Sequence, residues 1–389
     1  MMGVSGTDDH EAKRPAERPT FVIAGGGTAG HLIPGLVVAD ELVRRGHRRS
    51  TVLFVGAERG PEATLVPERG FPVRLLPGRG IQRSLTAENL AAGWGLARAA
   101  GQALRLLRRE RPQAVLALGG FASVACAASA ALLGIPLVVA DQNALAGSAN
   151  RLVARFATSC AAAFEGVDLP RAVLTGNPVR PEIIAAASLS KAEARARLGL
   201  PADRTVLAVF SGSLGSQRIN TAVVGALGRL AGRGDLAIYH VFGRRDWALR
   251  DQPRFRPPPL PADGLSYRAV EYSDEIGDLL AAADLGLTRA GGSTVAELAI
   301  VGLPSILVPL PIATRDHQRA NAAGLVEAGG AALVTDSDLS SDRLLAELLP
   351  LIDEPERLLP MAAAARSQGH PDAAARVADL LEAAAKGRT

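Results

Sequence analysis

The chain has 389 residues, 48% of them hydrophobic, and a formal net charge of +4, so it exceeds a usual single domain and predicts two ordinary cores. Aromatics at 4% argue against a stacking platform for single-stranded nucleic acid, and so small a charge does not call for nucleic acid of any kind. The two cysteines, Cys126 and Cys160, form no metal-binding or redox spacing.

Met1 to Pro19 is polar, mixes both charges and lacks an apolar centre, which predicts a flexible tail over residues 1–19 and not a signal peptide. Thr20 to Ala24 is a short apolar strand that meets Gly25-Gly26-Gly27-Thr28-Ala29-Gly30-His31, and helical spacing follows over Ile33 to Arg45. A Rossmann G-x-G-x-x-G fits Gly25, Gly27 and Gly30, but the acid that should close the second strand is the ill-placed Glu58 after Thr51 to Val55, so NAD is the lesser reading. Further strands are expected at Val73 to Leu76, Ala114 to Leu118 and Pro136 to Ala140, with a helix over Ala87 to Arg109. Strands alternating with helices imply parallel pairing and a sheet covered on both faces. The loop Asp141-Gln142-Asn143-Ala144-Leu145-Ala146-Gly147 leaves a strand at its carboxyl end, where such folds carry ligand contacts.

Gly176-Asn177-Pro178-Val179-Arg180-Pro181 is the best boundary, since two prolines stiffen it and no periodicity crosses it. The expected division is a domain over 20–176, a hinge at 177–181, a second domain over 182–350, and terminal helices over 351–389 that pack back on the first domain. A helix over Lys191 to Leu198 opens the second unit. Thr205 to Phe210 is then a strand ending in Ser211-Gly212-Ser213-Leu214-Gly215-Ser216-Gln217, a glycine-rich turn matching the first in its own half. Strands are expected at Leu236 to Val241, Ser266 to Ala269 and Asp284 to Thr288, helices at Ile276 to Ala282 and Arg319 to Glu327, and a last strand at Ala331 to Val334. After Thr288 the chain turns through Gly291 and Gly292 into a helix starting at Ser293 or Thr294. Such a corner aims unpaired N–H groups and the positive end of a helix dipole at one spot, which suits a phosphate. Glu297, one turn on, is within reach of a ribose hydroxyl pair. Asp336-Ser337-Asp338 spells a metal-binding Asp-x-Asp, but before a helix it reads more simply as capping acids, so no metal is expected.

Together these motifs resemble the MurG family of glycosyltransferases, from about Phe21 to about Arg376. The resemblance rests on Gly-Gly-Gly-Thr-Ala-Gly-His, Asp-Gln-Asn, Gly-Asn-Pro-Val-Arg, Gly-Ser-Leu-Gly-Ser-Gln-Arg-Ile-Asn, Arg-Ala-Gly-Gly-Ser-Thr-Val-Ala-Glu-Leu and Asp-His-Gln-Arg-Ala-Asn-Ala, in order. It implies an α/β GT-B fold, two Rossmann-like parallel-sheet domains facing across a cleft. It implies transfer of N-acetylglucosamine from UDP-N-acetylglucosamine (UDP-GlcNAc) to lipid I with no cofactor, at the cytoplasmic face of the membrane. It places Ser213 and Gly292, Ser293 and Thr294 on the diphosphate, Glu297 on the ribose, the backbone near Ser273 on uracil and Arg180 on the nucleotide. Asn143, His317 and Gln318 would meet the sugar, and Thr28, Ala29 and Gly30 would cap the donor from the other domain. Three residues depart from the family pattern: Asp141 replaces a frequent glutamate, Phe121 a tyrosine and Ser211 a glycine.

An inverting transfer needs a base for the acceptor hydroxyl and charge opposite the leaving diphosphate. His31 is the candidate base, Asp141 the reserve, and helix starts with Arg180 supply the charge. No stretch reaches the ~20 apolar residues of a membrane span. Membrane contact is therefore expected to be peripheral, through the interleaved apolar and basic residues of Leu75 to Leu85, with Trp94 and Arg98 beyond. The competing readings are a GT-B transferase for another lipid or natural-product acceptor and a non-catalytic nucleotide-sugar-binding subunit.

Overall fold

The computed structural model describes residues 19–58, 60–77 and 87–387. The first half runs β1 (Phe21–Ala24), α1 (Ala29–Arg44), β2 (Val52–Ala57), α2 (Glu62–Glu68), β3 (Val73–Leu76), α3 (Ala87–Glu110), β4 (Ala114–Ala117), α4 (Phe121–Leu132), β5 (Leu137–Asp141), α5 (Ser148–Val153), β6 (Ser159–Ala162) and β7 (Ala172–Leu174). The second half runs α6 (Pro181–Ala186), α7 (Lys191–Leu198), β8 (Thr205–Phe210), α8 (Gln217–Leu230), β9 (Leu236–Val241), α9 (Arg244–Trp247), β10 (Ser266–Val270), α10 (Ile276–Ala282), β11 (Leu285–Thr288), α11 (Gly292–Val301), β12 (Ser305–Leu307), α12 (His317–Glu327), β13 (Ala331–Leu333), α13 (Ser341–Asp353), α14 (Leu358–Ser367) and α15 (Ala373–Lys386).

The strands form two separate sheets, ordered β3-β2-β1-β4-β5-β6-β7 and β10-β9-β8-β11-β12-β13, with every pairing parallel. Central strands such as Phe21–Ala24 and Leu285–Thr288 are buried at every position, because helices cover both faces and a polar residue on either side would be stranded. Each sheet reverses its strand order once, between β1 and β4 in the first and between β8 and β11 in the second. Open parallel sheets bind ligands beside the carboxyl ends of the strands at that reversal.

Several short elements have no counterpart in the sequence reading: α2, α5, β6, β7 and β12. At three to seven residues they carry too little periodicity to read alone. The first long helix starts at Ala29, directly on the glycine turn, and not at Ile33, and α11 starts at Gly292. The terminal helices also divide differently from the expected block over 351–389. α14 packs on α11 in the second domain, and α15 alone returns to the first, lying against α1, β4, β5 and β6. Its apolar face, Val377, Ala378, Leu381, Ala384 and Ala385, enters the same core as Leu36, Leu42 and Val138. Arg45 fixes it by reaching Asp379 at 2.6 Å and Glu382 at 2.9 Å. The chain thus crosses between domains twice, and the crossings touch. Gly176 has φ +78°, and a Cβ there would come within 2.2 Å of His370 Cβ.

The apolar and basic stretch singled out for membrane contact falls largely outside the described residues, which resume at Ala87. Among the described residues no helix is long and apolar enough to cross a membrane.

Candidate active site

Three glycine-rich strand-to-helix turns converge where the sheets reverse, and each treats its helix N-terminus differently. The turn before α8 caps itself, with Ser216 Oγ accepting the N–H of Ile219 and the guanidinium of Arg289 at 2.7 Å. The turn before α1 is filled by a side chain from elsewhere, since Glu62 Oε1 accepts the N–H of Gly27 at 2.5 Å. The turn before α11 has neither device, for Gly291 gives no side-chain cap and no acid lies in the first turn. Among the described residues the first N–H groups of α11 therefore have no intrahelical or side-chain acceptor, the arrangement that binds an anion.

The first domain leans on this open end. The carbonyl of Gln142 lies so close that a Cβ on Gly292 would stand 1.9 Å from it, and Asn143 Oδ1 would be 3.4 Å away. Only glycine admits that approach. Asn321, fully buried on α12, fastens the contact. Its Oδ1 accepts the N–H of Ala144 at 2.8 Å, and its Nδ2 donates to Asn143 Oδ1 at 3.2 Å and to the Ala290 carbonyl at 3.1 Å. One amide thus joins a loop of each domain. The sequence reading quoted Asn321 within its motif and gave it no role. Its place three residues after Gln318, on the same helical face, was the available signal.

Glu297, on α11, faces the hinge and receives Arg180 Nη2 at 3.2 Å. Burial pushes its carboxyl above the ordinary range, and Arg180 opposes that rise. Among the described residues Arg180 Nε and Ser211 Oγ are buried without hydrogen-bond partners, so the second domain holds donors still able to serve a polar ligand. Ser213 is exposed on the α8 turn, and its carbonyl accepts the N–H of Arg244. Ser273 opens the turn before α10, which packs against α6 and α11, and beside it Arg244 lies over the Tyr272 ring at 4.4 Å. Ser213 and Ser273 thus lie on the turns before α8 and α10, while Ser293, Thr294 and Glu297 share α11.

His31, in the first turn of α1, is held by Thr28, whose Oγ1 is 3.0 Å from the imidazole Nδ1. Its Nε2 faces Gly119, where an added Cβ would lie 3.2 Å away. Burial lowers its pKa below the ordinary 6.5, Asp141 opposes that, and His317 from the other domain lowers it further. His31 is thus largely neutral near pH 7. In the tautomer that carries the proton on Nδ1 and donates it to Thr28 Oγ1, Nε2 presents a lone pair. Thr28 and Gly30 are exposed at the start of α1, with the backbone of Ala29 between them.

Asp141, the reserve base, is differently engaged. Its Oδ1 accepts from Asn143 N at 3.0 Å, and its Oδ2 from Gly147 N and Asn150 Nδ2, each at 2.9 Å. Both oxygens thereby shape the 142–147 loop, and Asp141 acts on His31 as a charge at a distance. The shorter aspartate suits this work because the donors lie two to nine residues away.

The segment leading into α12 is strained. Arg315 and Asp316 are consecutive non-glycine residues at φ +57° and +54°, a conformation costing about 1–3 kcal/mol each. The double left-handed turn sets His317 and Gln318 at the very start of α12, and Gln318 Oε1 accepts the Leu310 N–H at 2.9 Å. Arg289 ties the preceding loop to the site by donating to the carbonyls of Val308 and Pro309 and pairing with Asp336 at 2.6 Å. That pairing corrects the capping role expected of the Asp-x-Asp acids. Asp336 is engaged by Arg289, Asp338 sits in an exposed turn, and Ser340 caps α13 through the Arg343 N–H.

Two facing parallel-sheet domains, with glycine-rich strand-to-helix turns at their reversal points, define a two-domain glycosyltransferase of GT-B architecture. The chain belongs to glycosyltransferase family 28: residues 21–162 match that family's N-terminal domain and residues 206–377 its C-terminal domain. It is 42% identical over 370 residues to a UDP-N-acetylglucosamine--N-acetylmuramyl-(pentapeptide) pyrophosphoryl-undecaprenol N-acetylglucosamine transferase of Acidothermus cellulolyticus, covering 94% of this chain and 98% of that one. A protein of the same name from Desulforudis audaxviator is 38% identical over 372 residues, 93% of this chain and 97% of its own. The crystal structure of Acinetobacter baumannii MurG superposes with a TM-score of 0.76 at 28% identity, over 94% of this chain and 99% of that one.

Proposed function

We propose that this chain transfers N-acetylglucosamine from UDP-GlcNAc to the 4-hydroxyl of the N-acetylmuramyl unit of lipid I, inverting the anomeric carbon and giving lipid II for peptidoglycan synthesis. The observation that carries the reading is the asymmetric cleft: an uncapped helix start with Glu297 and Arg180 on one wall, and the Thr28–His31 pair on the other, in a chain alike over nearly its whole length to transferases of that name.

In this reading the diphosphate sits at Gly292, Ser293 and Thr294, with Ser213 beside it. Glu297 exchanges part of its bond to Arg180 for the ribose hydroxyls, and Ser273 lies by the uracil. Asn143, His317 and Gln318 surround the sugar, while Thr28, Ala29 and Gly30 close over the donor. His31 Nε2 takes the proton of the acceptor hydroxyl as its oxygen bonds to C1 of the sugar. The bond from C1 to the diphosphate breaks, and UDP leaves with its charge facing the α11 start and Arg180. The acceptor carries a lipid, so the enzyme works as a peripheral protein on the cytoplasmic membrane face. Flotation with anionic liposomes tests this, with Ile81→Asp expected to reduce binding. Incubation with labelled UDP-GlcNAc and a lipid I analogue tests the reaction. A disaccharide product is expected, unchanged by chelation of divalent ions, and its absence would end the reading.

A further inference from the structure

Glu62, at the start of α2, is 1% exposed and lies beneath the first glycine-rich turn. Its Oε1 accepts the Gly27 N–H at 2.5 Å, while among the described residues its Oε2 is buried without a hydrogen-bond partner. Three glycines are shaped around it. A Cβ would come within 1.5 Å of Oε1 on Gly26, 1.7 Å of Oε2 on Gly60 and 2.6 Å of Cγ on Gly56. Gly26 and Gly27 adopt φ +141° and +87° to wrap the carboxylate. A turn that offers backbone N–H groups to an anion has thus been given one from within the protein.

From this geometry we infer that Glu62 is a positioning residue for the transfer. It seats the turn that carries Thr28 and, through the Thr28–His31 bond, sets the imidazole in the cleft. Glu62 touches no reacting atom. Its influence runs from its carboxylate to Gly27, then Thr28, then His31. The inference rests on the proposed transfer for its kinetic consequence but not for its structural one.

The experiment compares Glu62→Gln, Glu62→Asp and Glu62→Ala with wild type. It measures kcat, KM for UDP-GlcNAc, thermal midpoint and the titration of the His31 imidazole by NMR, the signal assigned by its loss in His31→Ala. Glutamine keeps an oxygen for Gly27, so kcat within about threefold of wild type is expected. Aspartate keeps the charge but is one methylene too short, and alanine removes the acceptor. Both are expected to lower kcat by roughly tenfold or more, as misplacement by about 1 Å can cost a hundredfold, to leave donor KM within about threefold, and to move the His31 titration. Unchanged kcat and titration in the aspartate variant would overturn the inference. So would kcat, KM and thermal midpoint falling together, with glutamine no better than alanine. The imidazole titration needs no substrate: a wild type that makes no disaccharide would sink the transfer reading while the Glu62 relay still stood or fell on NMR.

Discussion

The turns before α1 and α11 are built from the same local parts, a buried parallel strand, two or three glycines and a helix, yet they meet opposite fates. The first is occupied by the Glu62 carboxylate and presents a histidine. The second stays open at its helix start and presents a glutamate paired with an arginine. What separates them is not the turn but what the rest of the fold brings beneath it. α2 sends an acid under the first, while the second meets the Gln142 carbonyl and the amides of Asn143 and Asn321. Each helix start carries roughly half a positive charge; Glu62 takes the Gly27 N–H two residues ahead of α1, while among the described residues no side chain caps α11.

The strongest test of the division is His31→Ala. Loss of a general base is expected to lower kcat by about 10²–10⁴-fold, while UDP binding, followed by calorimetry, stays within about twofold. A loss of UDP affinity instead would put both functions on one wall. Next in size, Glu297→Ala should weaken UDP binding about 10–100-fold, the scale of a hydrogen bond to a charged group at about 1.5–3 kcal/mol, with little effect on the His31 titration. A smaller effect separates the turns by stability. Gly26→Ala drives a methyl into Glu62 at a φ of +141° and should lower the thermal midpoint by several degrees. Gly291→Ala, at φ −65° with its nearest neighbour 3.7 Å away, should leave it nearly unchanged. Equal shifts would deny that the first turn is the filled one.

The smallest expected effect is in pH. Burial and His317 hold the His31 pKa below 6.5, so the base is lost only when pH falls through that lowered value. The acid limb of kcat/KM should accordingly lie below 6.5. His317→Gln removes a positive neighbour, so the proton binds His31 more readily and the limb moves up. An acid limb above 6.5 in the wild type would take the role from His31.

Much of this was legible in order along the chain. The glycine turns at Gly25–Gly30, Ser211–Ser216 and Gly291–Gly292, the hinge prolines and the alternating strands are local signals, because each is set by backbone sterics and short-range periodicity. The residues that needed the structure act across the fold. Glu62 meets Gly27 35 residues away, Asn321 meets Asn143 178 residues away, and α15 crosses back to α1. Asp141 was named as a reserve base, and only the structure reveals that three donors from the 143–150 stretch engage its oxygens.

The sequence by itself determined two α/β units, their turns and the chemistry each turn is able to host, since dihedral preference and apolar period are properties of neighbours in the chain. Which turn receives Glu62, how burial lowers the His31 pKa and which acid its own loop engages were decided by tertiary structure. Burial and hydrogen bonding between distant segments set charge and accessibility, and neither is written in any one stretch of residues.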